Sequence, residues 1–141
     1  MTNCFHVMPT NNLLVLKNVI FCLAIVWTIL IAFLCLVKFN NLPSISVSGA
    51  DKYVHFTFHF VFTLLWGFYL FLNQHQLELK KIGILVFVSL CYGIVIEFMQ
   101  ELFTTTRHAD VLDVLANLIG ATIAFLLFVI SKKIKSKTNT Q

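Results

Sequence analysis

The chain has 141 residues, 59% hydrophobic and 11% charged, with fifteen Phe and a formal net charge of +4. Water-facing domains carry about 25% charged residues, so this composition excludes an ordinary soluble globule and points to lipid as the solvent. The positive balance comes mainly from the closing "SKKIKSKTNTQ". Beside an apolar segment such a tail is a topology signal, and no nucleic-acid partner is expected.

The first apolar run, "NVIFCLAIVWTILIAFLCLV" (18–37), exceeds the about 7–15 residues of a secretory-signal core. No small-x-small cleavage site closes it before Lys38, so a retained helix is expected. Three further runs follow: "YVHFTFHFVFTLLWGFYLFL" (53–72), "GILVFVSLCYGIVIEFM" (83–99) and "VLDVLANLIGATIAFLLFVI" (111–130). Each is close to the roughly 20 residues a helix needs to cross the hydrocarbon core. The expected fold is all-α: a polytopic membrane protein with transmembrane helices at about 18–37, 53–72, 83–100 and 111–130. One domain spans 1–141, and residues 131–141 form a basic tail. Cys4, Cys22, Cys35 and Cys91 lack metal spacing, and the last three lie within apolar runs. They are expected to be reduced packing residues.

Four crossings put both termini on one side, with Lys17, Lys80, Lys81, Lys132, Lys133, Lys135 and Lys137. Lys38, Lys52 and Arg107 fall on the other. Seven against three predicts cytoplasmic termini under the positive-inside rule. The outer end then collects Asp51, Lys52, His55, His59, Glu97, Gln100, Glu101, Arg107, Asp110, Asp113 and Asn117. At about 1.5 Å per residue, His59 and Asn117 lie about 10 Å inside their helix starts.

In the second run, "DKYVHFTFH" sets Asp51, His55 and His59 at four-residue steps. Two His at that spacing with carboxylates nearby suit a divalent metal. The pattern is loose, however, and no metal or cofactor is assigned. The plainer reading pairs His55 with Glu97 or Asp113 and satisfies His59 in the core. The third run ends "IEFMQE", where Glu97 must be paired or protonated one turn inside the membrane. That makes Glu97 a candidate proton carrier; Glu101 reads as a solvated acid. In the fourth run, Asp113 and Asn117 share a face, and Ala109, Ala116, Gly120 and Ala124 form a small stripe suited to close helix approach. Asp110 suits a cap or a first-turn acid. Lys52 and Arg107 at the same mouth would either neutralise these acids or hold an anionic headgroup.

In order, these residues resemble the VanZ-like family of small bacterial membrane proteins. Asp51, Lys52 and His55 match its opening element, Glu97 and Gln100 its second, and Arg107, Asp113, Asn117 and Gly120 its third. The likeness covers about residues 51–125, with Thr105, Thr106 and Ala124 departing from the usual Pro, Gly and Gly. The resemblance implies a bacterial inner-membrane protein; the family's namesake is associated with teicoplanin resistance, without a settled biochemical activity. The expected site is a cluster of Asp51, Lys52, His55, Glu97, Gln100, Arg107, Asp113 and Asn117. It would bind, or affect access to, an anionic lipid or lipid-linked cell-wall precursor. A rival is an intramembrane enzyme on a lipid headgroup, with Glu97, Asp113 and His55 as catalytic candidates. A third is a structural subunit, and a homo-oligomer fits either case. No phosphate-binding Gly-rich loop or nucleophile elbow is present.

Overall fold

A computed structural model describes residues 10–37, 49–74, 76–103 and 110–138. They form four helices: α1 Thr10–Leu36, α2 Ala50–Gln74, α3 Leu79–Phe103 and α4 Val111–Thr138. All four expected spans are found, each longer than its apolar run. At the end of α4, residues 131–138 of the basic segment continue the helix. Lys is a good helix former, no Pro or Gly interrupts "SKKIKSKT", and cations suit a helix C-terminus. The Ser131 and Thr138 hydroxyls donate back to the Leu127 and Ile134 carbonyls at 2.8 and 3.1 Å.

The four helices are long and apolar enough to cross a membrane, and the distribution of side chains argues the same. Leu23, Ile29, Phe33, Phe87, Phe98 and Leu126 point outward, while His55, His59, Thr63, Ser89, Glu97, Gln100, Asp113 and Asn117 are buried. A water-soluble bundle would reverse these sets. With lipid outside, ionisable groups face the bundle interior.

α2 packs most extensively on α4, then α4 on α3; α1 lies against α2 and α3 only. The α2–α4 crossing is set at Gly120, where an added Cβ would run into the backbone carbonyl of Phe56. The small stripe therefore does what its spacing suggests, with Ala116, Gly120, Ala121 and Ala124 all buried; Ala109 lies outside the described residues. α1 is held by larger groups. Trp27 Nε1 donates to the Phe58 carbonyl at 3.0 Å, and Tyr92 Oη donates to the Thr28 carbonyl at 2.6 Å. Ile31, Cys35, Phe62, Leu85 and Ile96 fill the core beside them. Of the expected packing cysteines, Cys35 is buried, whereas Cys22 and Cys91 are exposed on the outer surface. A thiol is apolar enough to face lipid as readily as protein.

Candidate functional site: a buried carboxylate–histidine ladder

The start of α2, the end of α3 and the start of α4 meet at one end of the bundle. Three layers of polar side chains descend from it. At the rim, Lys52 Nζ donates to Asp110 Oδ2 at 2.8 Å and to Asp113 Oδ1 at 3.4 Å. Asp110 has two tasks. Its Oδ1 accepts the Leu112 N–H at 2.8 Å, which caps α4 as an N-terminal Asp should. The Lys52 ammonium, followed by that N–H, holds the Asp110 carboxyl below the usual carboxylate range.

One turn deeper stand His55, Glu97 and Asp113, 2%, 3% and 5% exposed. His55 Nδ1 is 3.5 Å from Glu97 Oε1, and His55 Nε2 is 3.9 Å from Asp51 Oδ1. Glu97 Oε2 accepts the Asp110 N–H at 3.5 Å, while Oε1 makes no hydrogen bond. The His55 ring therefore lies within ion-pair distance of Glu97 without a hydrogen bond to it.

In the third layer His59 Nδ1 and Ser89 Oγ share a hydrogen bond of 2.8 Å. His59 Nδ1 is thus engaged by Ser89 on α3, two turns from Glu97, the neighbour of His55. Asn117 is 1% exposed, and neither amide atom has a hydrogen-bond partner. It fits a notch at Gly93: a Cβ there would lie 2.6 Å from Asn117 Nδ2 and 3.1 Å from His59 Cε1. A buried unpaired amide costs stability. Thr63, buried further along α2, likewise has an unpartnered hydroxyl.

Asp51, Lys52, His55, Glu97, Asp113 and Asn117 lie toward one end of the bundle. Gln100 is buried nearby, but its Nε2 donates to the Cys35 carbonyl at 2.9 Å. There it satisfies one of the last carbonyls of α1, which have no intrahelical partner. Arg107 lies outside the described residues. Three participants were absent from the expected site: Asp110 as the main partner of Lys52, Ser89 as the partner of His59, and Gly93 as the notch for Asn117. A signal existed for two of them, since Ser89, Gly93 and Glu97 repeat every four residues and so line one face of α3.

Among the described residues the cluster holds four carboxylates, Asp51, Glu97, Asp110 and Asp113, against one ammonium, Lys52. It is acid-rich, and its one cation is already engaged. A groove of about 440 Å³ lies at the opposite end, lined by Phe68, Phe71 and Phe128 with Lys132 and Lys135.

No solved structure matches the chain. An uncharacterized protein of Schizosaccharomyces pombe, C11E3.10, is 34% identical over 91 residues, which cover 64% of this chain and 54% of that relative. The chain thus matches about half the length of that relative. A relative in a yeast extends the likeness beyond bacteria, so similarity alone does not assign a bacterial source or a link to glycopeptides. The VanZ/LLP1 family model matches residues 20–132, from the middle of α1 through the start of the lysine cluster on α4. The chain is a membrane protein of the VanZ/LLP1 family.

Proposed function

We propose that the polar end receives the anionic headgroup of a membrane lipid or lipid-linked ligand, with Lys52 as the first contact. The observation that carries this reading is the state of Lys52. Its side chain is 37% exposed at the mouth, and both its bonds go to side-chain carboxylates. Exposed ion pairs are weak, so a phosphate can replace Asp110 at the ammonium, one anion for another. Beneath it, the unpartnered Asn117 amide offers both a donor and an acceptor to a headgroup that reaches the third layer. Cell-wall precursors and glycopeptide resistance are narrower forms of the same reading. The lysine distribution supports placing this end outward and both termini in the cytoplasm. Labelling a single cysteine introduced at Glu101 in an otherwise cysteine-free chain tests that placement.

The binding test uses purified protein with vesicles carrying a radiolabelled polyprenyl phosphate or phosphatidylglycerol, against phosphatidylcholine alone. Binding of the anionic lipids should fall at least tenfold in Lys52→Ala, and also in Arg107→Ala. Unchanged binding in both folded variants removes the reading. A second reading, an intramembrane enzyme acting on the headgroup, is favoured by one feature: the buried His55–Glu97 pair, 3.5 Å apart. An imidazole and a carboxylate so placed suit proton transfer. Lipid turnover that is lost in Glu97→Gln while binding persists would select the enzyme.

A further inference from the structure

We propose that Asp51, His55 and Asp113 bind one divalent transition-metal ion of the Mn²⁺-to-Zn²⁺ class at the polar mouth. Each residue offers a ligand atom, and these atoms lie within 4.8 Å of one another. Two donors each about 2.1 Å from one ion stand at most about 4.2 Å apart. The 3.9 Å between His55 Nε2 and Asp51 Oδ1 is already within that span. The separations to Asp113 are at most 4.8 Å, so closing all three donors on one ion takes a side-chain shift of about 0.6 Å or less. One imidazole with two carboxylates is a mixed nitrogen–oxygen set, suited to Mn²⁺, Fe²⁺ or Zn²⁺ more than to Mg²⁺ or Ca²⁺.

A second observation points the same way independently. On the far side of the His55 ring, buried Glu97 presents an Oε1 that makes no hydrogen bond, 3.5 Å from Nδ1. A metal-bound histidine ordinarily donates its other ring N–H to a carboxylate, which fixes its tautomer and orientation. Glu97 occupies that position and leaves Nε2 directed at Asp51. Among the described residues four carboxylates face Lys52 alone, a balance that leaves room for a dication. Lys52 is the competitor. Its weaker contact, 3.4 Å, is to Asp113, and its stronger, 2.8 Å, is to Asp110. An ion can therefore take Asp113 while Lys52 stays with Asp110. The histidine spacing in the sequence suggested a different pair, and the fold substitutes Asp113 for His59.

This inference goes beyond the headgroup reading and does not need it, since it is tested with the metal alone. The full chain in detergent is titrated with Mn²⁺ and followed by electron paramagnetic resonance, in which the free ion's six-line signal disappears on binding. Mn²⁺ is chosen because it prefers oxygen ligands to the exposed thiols of Cys22 and Cys91. One ion per chain is expected. Affinity should fall at least tenfold in His55→Ala and Asp113→Asn, and about ten- to a hundredfold in Glu97→Gln. Asp51→Asn, at an exposed position that leaves the bundle intact, should also weaken binding severalfold. Lys52→Met should strengthen it severalfold by releasing Asp113, and Glu101→Gln should leave it unchanged. No saturable binding by the wild type overturns the site. So does an affinity untouched by both Asp51→Asn and Asp113→Asn, or one weakened by Lys52→Met.

Discussion

The two ends of the bundle use charge in opposite ways. At the lysine end, Lys17 reaches Asn73 at 3.2 Å, and Lys81 reaches Gln74 and Glu78 at 2.8 and 3.0 Å. The Lys17–Asn73 contact is exposed, and the Lys81–Glu78 partners are more than two-fifths exposed, three residues apart. Such contacts are weak and screened by salt. At the other end, His55, Glu97 and Asp113 are almost fully buried and come from three different helices. Charges that set topology need only reach water. Charges drawn under a roof of apolar helices cost desolvation and need a purpose other than orientation. The contrast separates the two kinds by burial and by partner, not by count.

The largest expected effect breaks the framework of the polar end. At Gly120→Val the new side chain would collide with the Phe56 carbonyl, and backbone cannot give way as a side chain does. Overpacking costs about 1–3 kcal/mol in general and more against backbone, so loss of folded protein in size-exclusion and SDS-unfolding assays is expected. Gly83, on α3 near the lysine end, is the contrasting case, because an added Cβ there meets nothing within 4 Å. Gly83→Ala should be neutral or stabilise by up to about 1 kcal/mol. Equal responses at the two positions would mean that the α2–α4 crossing is not as close as described. A smaller effect sharpens the comparison. Asn117→Leu removes two unpartnered polar atoms at similar volume, each worth about 1–3 kcal/mol of desolvation. The unfolding midpoint should rise while lipid binding at the polar mouth falls. A lowered midpoint would show that the amide has a structural partner after all.

Much of this arrangement was legible in the sequence. Four spans follow from apolar length alone, and four-residue steps put Asp51, His55 and His59 on one face and Asp113 with Asn117 on another. Periodicity does not say which helix each face meets. His59 meets Ser89 while His55 meets Glu97, successive turns of α2 against different turns of the same face of α3. Nor does it weigh partners. Lys52 is four residues before Phe56, on the side of α2 where α4 crosses. It therefore finds Asp110 at the cap of α4, a residue whose capping role in the sequence hid its second one. α4 outruns its apolar stretch for a related reason: hydropathy falls at Ser131, but helix propensity does not.

The smallest expected effect isolates that Lys52–Asp110 contact. Because Lys52 and the Leu112 N–H hold the Asp110 carboxyl below its ordinary range, the unfolded chain takes up a proton there before the folded one as pH falls. The contribution is therefore fully present above the ordinary carboxylate range and is lost as pH drops through the folded value. Asp110→Asn removes this component but keeps the cap, since Asn serves as well as Asp at that position. At neutral pH the unfolding midpoint should move by no more than about 2 °C. Towards acid, the difference from wild type should vanish. Lys132→Ala, at the opposite end, leaves the Lys52–Asp110 contact in place and should track the wild type across the whole range. If Asp110→Asn instead keeps a constant offset down to strongly acid pH, the loss is one of capping. Lys52 would then be held by Asp113 alone, and the anion exchange proposed at the mouth would lose its leaving partner.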